Sequence, residues 1–133
     1  MASCLGCGDC DIEILSPDPS GVWIGTLRRV ESDCGDESSG ESFDFTHTVS
    51  LGCDNDGDTV VELSDQSERT YSHTSYSSFG GGSFSSRWSN SDATIDITYD
   101  NFDGSLADVT QKIRVYKDGK IQCSEKYAGR GRR

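Results

Sequence analysis

The stretch from Thr94 to Ser124 constrains the fold more than any other part of this chain, because apolar and polar residues alternate along it. Residues 94–99, 112–117 and 120–127 are alternating runs with the period of a half-buried strand. Asp118-Gly119 joins the last two runs, and this dipeptide is typical of a type I′ hairpin, whose two central residues need positive φ. The stretch therefore predicts an antiparallel meander.

Similar runs, bounded by turn residues, predict five strands in the first two thirds of the chain. They are Gly21–Val30, Phe43–Leu51, Thr59–Leu63, Glu68–Tyr76 and Phe84–Trp88. Such short strands, spaced by about ten residues with turn signals between them, are typical of all-β folds. The prediction is a single small antiparallel barrel or a two-sheet sandwich of seven to eight short strands. One helical turn at 105–108 stays open, because these residues fit a capping box.

The length of 133 residues predicts one domain with one core. Residues 1–20 form a cysteine-rich N-terminal arm without an apolar period, and two prolines near its end favour an extended connection. The all-β domain is expected to cover 21–128, and residues 129–133 form a basic C-terminal tail. Both ends are therefore predicted to extend from the domain as arms.

Charge is distributed very unevenly along a chain whose net charge is −11. Residues 31–68 contain twelve Asp and Glu and no Lys or Arg, whereas residues 112–133 contain eight Lys and Arg and only two acids. One interpretation is a solvated surface that keeps the protein soluble. The other is electrostatic complementarity, in which the basic end meets the acidic middle of another copy or of another protein subunit. Nucleic acid is not a predicted partner, because the acidic middle repels phosphate.

Six cysteines leave three alternatives open. Cys4, Cys7 and Cys10 have a spacing that could bind zinc with a fourth cysteine from the folded domain. In an oxidising compartment, three disulfides would stabilise a domain with a thin core. Free or intermolecular thiols in the arm are the third alternative.

A second weak metal candidate is the acidic turn that contains Asp54, Asp56 and Asp58. Alternate carboxylates with a glycine resemble part of a calcium loop, although the glycine is not at the EF-hand position. The competing interpretation is a hairpin turn whose acids face water. No cofactor is predicted beyond these zinc and calcium possibilities.

No residue pattern points to catalysis. The sequence has no nucleophile elbow and no phosphate-binding glycine loop before a helix. His47 and His73 are both expected on the apolar sides of their strands, where histidines are more often hydrogen-bonded members of the core than catalysts. The protein is therefore not predicted to be an enzyme.

Aromatic rings among serines and glycines indicate a candidate recognition surface between residues 71 and 91. Such mixtures combine rigid contact area with adaptable hydrogen bonds, although some of these rings are expected in the core. Together with the basic tail, they give the following candidate interaction residues: Tyr71, Tyr76, Phe79, Trp88, Arg130, Arg132 and Arg133.

Gly21-Val22-Trp23 resembles the G-x-W signature on the first strand of lipocalin-like barrels. The resemblance implies that the Trp23 ring closes one barrel end and that a late arginine packs on it, a place that Arg130 could take. It also implies a small-ligand carrier as a function.

The main prediction is a non-enzymatic structural or interaction module that docks onto neighbouring copies or a larger assembly through charge-complementary surfaces and its arms. A lipocalin-like ligand-binding barrel is the alternative. No apolar run is long enough to span a membrane. A virion, extracellular or cell-surface location is favoured, and residues 2–4 resemble the end of a bacterial lipoprotein signal.

Overall fold

Eight antiparallel strands form the body of the protein. The structure, a computed structural model, describes residues 19–34, 41–53, 59–77, 82–101 and 105–133, without the side chains of 53, 59 and 73–77. The strands are β1 (Gly21–Ser32), β2 (Ser42–Cys53), β3 (Thr59–Ser64), β4 (Thr70–Ser77), β5 (Ser83–Ser89), β6 (Ala93–Asp100), β7 (Leu106–Lys117) and β8 (Lys120–Arg132). Each of the eight overlaps a run that the sequence predicts as a strand, and β7 and β8 are longer than predicted.

The strands close into a barrel in sequence order, and β8 pairs with β1 to complete the ring. The all-β prediction is confirmed, and of its two alternatives the structure has the barrel. Each of the eight described strands therefore has two neighbours, although β3 and β4 pair over three residues only. Closure also means that β3 and β7 are four strands apart in either direction, so they lie on opposite sides of the barrel.

Side chains from all eight strands meet in the interior, because every second residue points inward. Apolar residues dominate this core, and aromatic rings fill much of it. Phe84 and Tyr99 stack with their centroids 4.9 Å apart, and Trp23 meets Tyr99 edge-on at 5.4 Å. The buried hydrophobic residues are Trp23, Leu27, Phe45, Val49, Val61, Leu63, Tyr71, Phe84, Ile95, Ile97, Tyr99, Ala107, Val109 and Tyr127.

The seam between β1 and β8 depends on glycines. Gly25 lies opposite Gly131, and Leu27 lies opposite Gly129. A Cβ atom at Gly129 would overlap the carbonyl oxygen of Thr26, so a side chain there would push the two strands apart. The missing side chains therefore allow the backbones to approach closely enough to close the barrel.

The prediction of a basic tail at residues 129–133 is corrected, because residues 129–132 belong to β8 and line this seam. β8 continues to Arg132, and the backbone amide of Arg133 donates a hydrogen bond of 3.0 Å to the carbonyl of Ser105. The glycines on which the prediction of a tail rested are the residues that allow this segment to pair closely with β1. The barrel therefore includes the last residues of the chain.

The helical turn that the sequence allowed at 105–108 is not formed, because β7 begins at Leu106. Ala107 and Val109 both point into the core, which is the period of a strand and not of a helix.

Among the residues that the structure describes, there is no helix that is long and apolar enough to cross a membrane.

The β7–β8 hairpin has the predicted turn, followed by a bulge. Asp118 and Gly119 have φ values of 54° and 77°, so both adopt the left-handed conformation that a type I′ turn requires. The pairing then shifts by one residue between Val115 and Tyr116. Such a shift moves every later residue of β8 to the opposite face.

Candidate docking surface

Five charged side chains form a row across the outer face of the barrel. Each lies opposite the next on the neighbouring strand, from β5 through β6, β7 and β8 to β1. The row is Arg87, Asp96, Lys112, Lys126 and Glu31. Opposite signs alternate along it except at one step, where two lysines face each other. We call these five residues the charged row.

Asp96, the second residue of the row, pairs with two arginines. Its carboxylate accepts hydrogen bonds from Arg87 Nε at 2.7 Å and from Arg114 Nη1 at 2.8 Å. The aspartate is only 18% exposed, so both arginines hold it close to the barrel surface. Lys112 and Lys126 form no ion pair with any residue that the structure describes. Their positive charges are therefore left to solvent.

The β8 bulge creates this pair of lysines. A regular hairpin continued from the turn would place Lys112 opposite Glu125, which would form an ordinary cross-strand ion pair. After the one-residue shift, Lys112 instead lies opposite Lys126. Glu125 now accepts a hydrogen bond of 3.0 Å from the buried guanidinium of Arg29. The bulge therefore allows the buried ion pair between Arg29 and Glu125 and also places Lys112 opposite Lys126 on the outer face.

The charged row runs through a shallow groove of about 370 Å³. Four cationic side chains and two carboxylates line it, which leaves an excess of two positive charges on a protein of net charge −11. Like charges directly opposite each other on neighbouring strands destabilise a sheet, so the Lys112–Lys126 pair is expected to lower the stability of the barrel. We call this feature the cationic groove; its lining residues are Glu31, Ser85, Arg87, Asp96, Thr98, Thr110, Lys112, Arg114 and Lys126.

The opposite side of the barrel is acidic. Residues 41–53 and 59–68 contain no Lys or Arg. Asp44 on β2 and Glu62 on β3 are both exposed. Glu62 lies between Ser50 and Ser72 on the neighbouring strands, so its carboxylate stands above small polar neighbours. We call the outer side of β2 and β3, with Asp44 and Glu62, the acidic face.

Internal pairing reduces the charge separation only in part. Arg130 pairs with Asp108 at 3.5 Å, but both side chains are more than half exposed, and exposed pairs of this kind contribute little. Lys126 lies opposite Glu31 without forming an ion pair with it. The two opposite sides of the barrel therefore keep opposite signs.

The aromatic candidates do not form a common surface among the described residues. Tyr71 is buried in the core and donates a hydrogen bond of 2.8 Å to Asp65, so its ring is not available to a partner. Trp88 packs partly against the core beneath the Arg69 guanidinium, 5.1 Å from the ring centre. The side chain of Tyr76 and all of Phe79 lie outside the described residues.

Arg133, and not Arg130, packs on Trp23. Its guanidinium carbon lies 4.8 Å from the centre of the indole ring, and the indole N–H donates a hydrogen bond of 2.8 Å to the carbonyl of Pro19. Arg130 could not take this place because it points outward on β8 toward Asp108. Arg132 also points outward, so of the three terminal arginines only Arg130 and Arg132 remain on the outer surface of the barrel wall.

Cys34 and Cys123 form a disulfide that joins the end of β1 to β8. The Asp33 carboxylate lies near both sulfur atoms, but bonded sulfurs offer no thiolate to a metal ion. The zinc candidates Cys4, Cys7 and Cys10 and the calcium candidates Asp54, Asp56 and Asp58 lie outside the described residues.

His47 is a buried polar residue of the interior. Its Nδ1 atom shares a hydrogen bond of 2.6 Å with the Tyr99 hydroxyl. Burial lowers the pKa of His47 to about 4, although the nearby Asp65 carboxylate opposes the shift. Burial also raises the pKa of Tyr99. Both rings are therefore neutral at physiological pH, as expected of hydrogen-bonded members of the core.

Acidification is expected to weaken the fold through His47. Its folded-state pKa of about 4 lies below the ordinary histidine pKa of 6.5, so the unfolded chain binds more protons at intermediate pH. Stability is therefore full above the unfolded-state pKa and is lost as pH falls toward the folded-state pKa. We expect a loss of about 2 kcal/mol between about pH 7 and about pH 5, measured by urea unfolding.

The control for this prediction separates His47 from the carboxylates. Tyr99→Phe keeps the buried imidazole and should keep the pH dependence. His47→Phe combined with Tyr99→Phe removes both polar groups and should flatten it. An equal pH dependence in the two variants would assign the effect to other groups.

Comparison with protein-family models, curated proteins and solved structures finds no match to this chain.

The charged row is the main feature that sequence reasoning missed. The basic character of residues 112–133 pointed to these strands, but the sequence prediction named Arg130, Arg132 and Arg133 and did not name Lys112 or Lys126 as interaction residues. The signal that could have found them is the outward alternation of charged residues on β6 and β7, starting from the predicted hairpin turn. That signal would still have failed at the bulge.

Proposed function

We propose that this protein is a non-enzymatic interaction module that docks onto other protein subunits through oppositely charged sides of its barrel. The observation that carries the proposal is the Lys112–Lys126 pair in the cationic groove. The two like charges face each other and neither lysine forms an ion pair with a described residue, so an acidic partner surface is a suitable ligand. The disulfide favours an oxidising location, such as the cell surface or a virion exposed to the extracellular medium.

A lipocalin-like carrier is the second candidate. The contact between Trp23 and Arg133 at the end of a closed eight-stranded barrel favours it. Against it, aromatic and aliphatic side chains occupy the described interior. Carriers need an apolar cavity of several hundred Å³, so the docking module is the better supported function.

An acidic peptide tests the docking function directly. We expect a labelled oligoglutamate peptide to bind the protein at about 0.1 M salt and to dissociate at about 1 M, where the Debye length is about 3 Å. Fluorescence anisotropy measures this binding. Lys112→Ser combined with Lys126→Ser should weaken it by about tenfold, because the two lysines that form no ion pair with a described residue are removed.

The matched control is the pair Lys117 and Lys120, which also lie opposite each other, but beside the hairpin turn. Serine at these two positions changes the net charge equally and should leave peptide binding nearly unchanged. If both double variants lose binding to the same extent, net charge and not the groove controls the interaction. If a small apolar molecule co-purifies with the protein while the peptide fails to bind, the carrier is the better assignment.

A further inference from the structure

We infer that the partner of the cationic groove is the acidic face of a second copy of this chain. The inference rests on the proposed docking function and names its partner. The groove offers two neighbouring ammonium groups that form no ion pair with a described residue, and the acidic face offers exposed carboxylates in a region without any Lys or Arg. The two surfaces are complementary in sign and belong to one molecule.

The shape of the acidic face suits this contact. Glu62 lies between two serines, Ser50 on β2 and Ser72 on β4. Its carboxylate is therefore free to enter a shallow groove without a bulky neighbour striking the groove wall. In the charged row the two lysines lie next to each other between Asp96 and Glu31. A single carboxylate placed between them would restore the alternation of signs along the row.

The positions of the two surfaces determine the form of the assembly. β3 and β7 lie on opposite sides of the barrel, so a contact between the acidic face of one copy and the groove of the next leaves the other groove and face free. Head-to-tail contacts of this kind extend into open chains unless the rotation happens to close a ring. The assembly is therefore expected to grow with concentration instead of stopping at a dimer.

Salt dependence distinguishes this assembly from simple attraction. Two copies of net charge −11 repel each other at long range, and this repulsion dominates at about 0.01 M salt, where the Debye length is about 30 Å. At about 0.1 M the Debye length is about 10 Å, so only the local contact is felt, and at about 1 M that contact is screened as well. Self-association should be strongest at the intermediate concentration.

Sedimentation velocity with charge-reversed variants tests the inference. At about 0.1 M salt the wild-type protein should have a weight-average mass that rises with concentration above the 14.4 kDa of one chain. The groove variant, Lys112→Glu with Lys126→Glu, should remain monomeric. The face variant, Asp44→Lys with Glu62→Lys, should also remain monomeric.

Mixing the two variants gives the decisive result. The wild-type groove of the face variant can bind the wild-type face of the groove variant, and the two reversed surfaces are complementary to each other. The mixture should therefore regain the mass distribution of the wild-type protein. A variant that lost assembly through misfolding could not be rescued in this way, and equal melting temperatures check folding independently.

Two outcomes would overturn the inference. One is a wild-type protein that stays monomeric at every salt concentration, and the other is a mixture that does not reassemble. If oligoglutamate still binds the wild-type groove in either case, the docking function stands and its partner is a different acidic protein. If the peptide also fails to bind, the docking function fails together with the inference.

Discussion

Replacing Cys34 and Cys123 by serine is expected to lower the free energy of unfolding by about 4 kcal/mol. The disulfide joins residues separated by 89 positions, so it closes most of the chain into one loop in the unfolded state. Loss of this constraint increases the entropy of the unfolded chain, and the effect grows with loop length. Urea unfolding of the oxidised protein and of the double variant measures the difference.

Reductant provides the control for this result. It should destabilise the wild-type protein more than the double variant, because only the wild-type protein has the bond between Cys34 and Cys123. A double variant as stable as the oxidised wild-type protein would show that the crosslink does not constrain the unfolded chain.

Arg29→Met is expected to lower the free energy of unfolding by about 3 kcal/mol at neutral pH. The Arg29 side chain is only 2% exposed and pairs with Glu41 at 3.3 Å and with Glu125 at 3.0 Å. Methionine fills a similar volume but leaves the Glu125 carboxylate, 20% exposed, without its cation. The cost therefore arises from an uncompensated, largely buried charge.

A double-mutant cycle with Glu125→Gln isolates that cost. In the glutamine background the orphaned charge is absent, so Arg29→Met should be less destabilising than in the wild-type protein. Equal costs in both backgrounds would mean that Arg29 stabilises the barrel through packing alone.

The strands themselves could be predicted from the sequence because burial on one side imposes a period of two. Residues 43–51 and 94–99 are strands in the structure, and Asp118-Gly119 forms the expected turn. These features depend on neighbouring residues in the sequence, which is where pattern reasoning is strongest. Closure into a barrel depends on the contact between β1 and β8, which no local pattern determines.

The candidate site was harder to predict because it depends on register. The bulge near Val115 was not predicted from the sequence. This bulge decides whether Lys112 lies opposite Glu125 or opposite Lys126. It also turns Glu125 toward Arg29, whose burial was not expected of a charged residue on the first strand. A one-residue shift thus changed the partners of several charged groups at once.

Long-range partners were the other part that the sequence left open. Six cysteines allow many pairings, and spacing alone did not join Cys34 to Cys123. The arginine on the Trp23 ring is Arg133 because β8 extends beyond the point where the glycine-rich segment was expected to leave the domain. Both depend on how distant segments meet, which only the folded chain determines.

The most direct test of the central claim measures stability and binding in the same variant, Lys112→Ser with Lys126→Ser. If the two lysines serve a partner and not the fold, this variant should be at least as stable as the wild-type protein in urea, because a repulsive cross-strand pair is removed. Its affinity for oligoglutamate should fall by about tenfold. A variant that is clearly less stable, or one that binds the acidic peptide as tightly as the wild-type protein, would contradict the account.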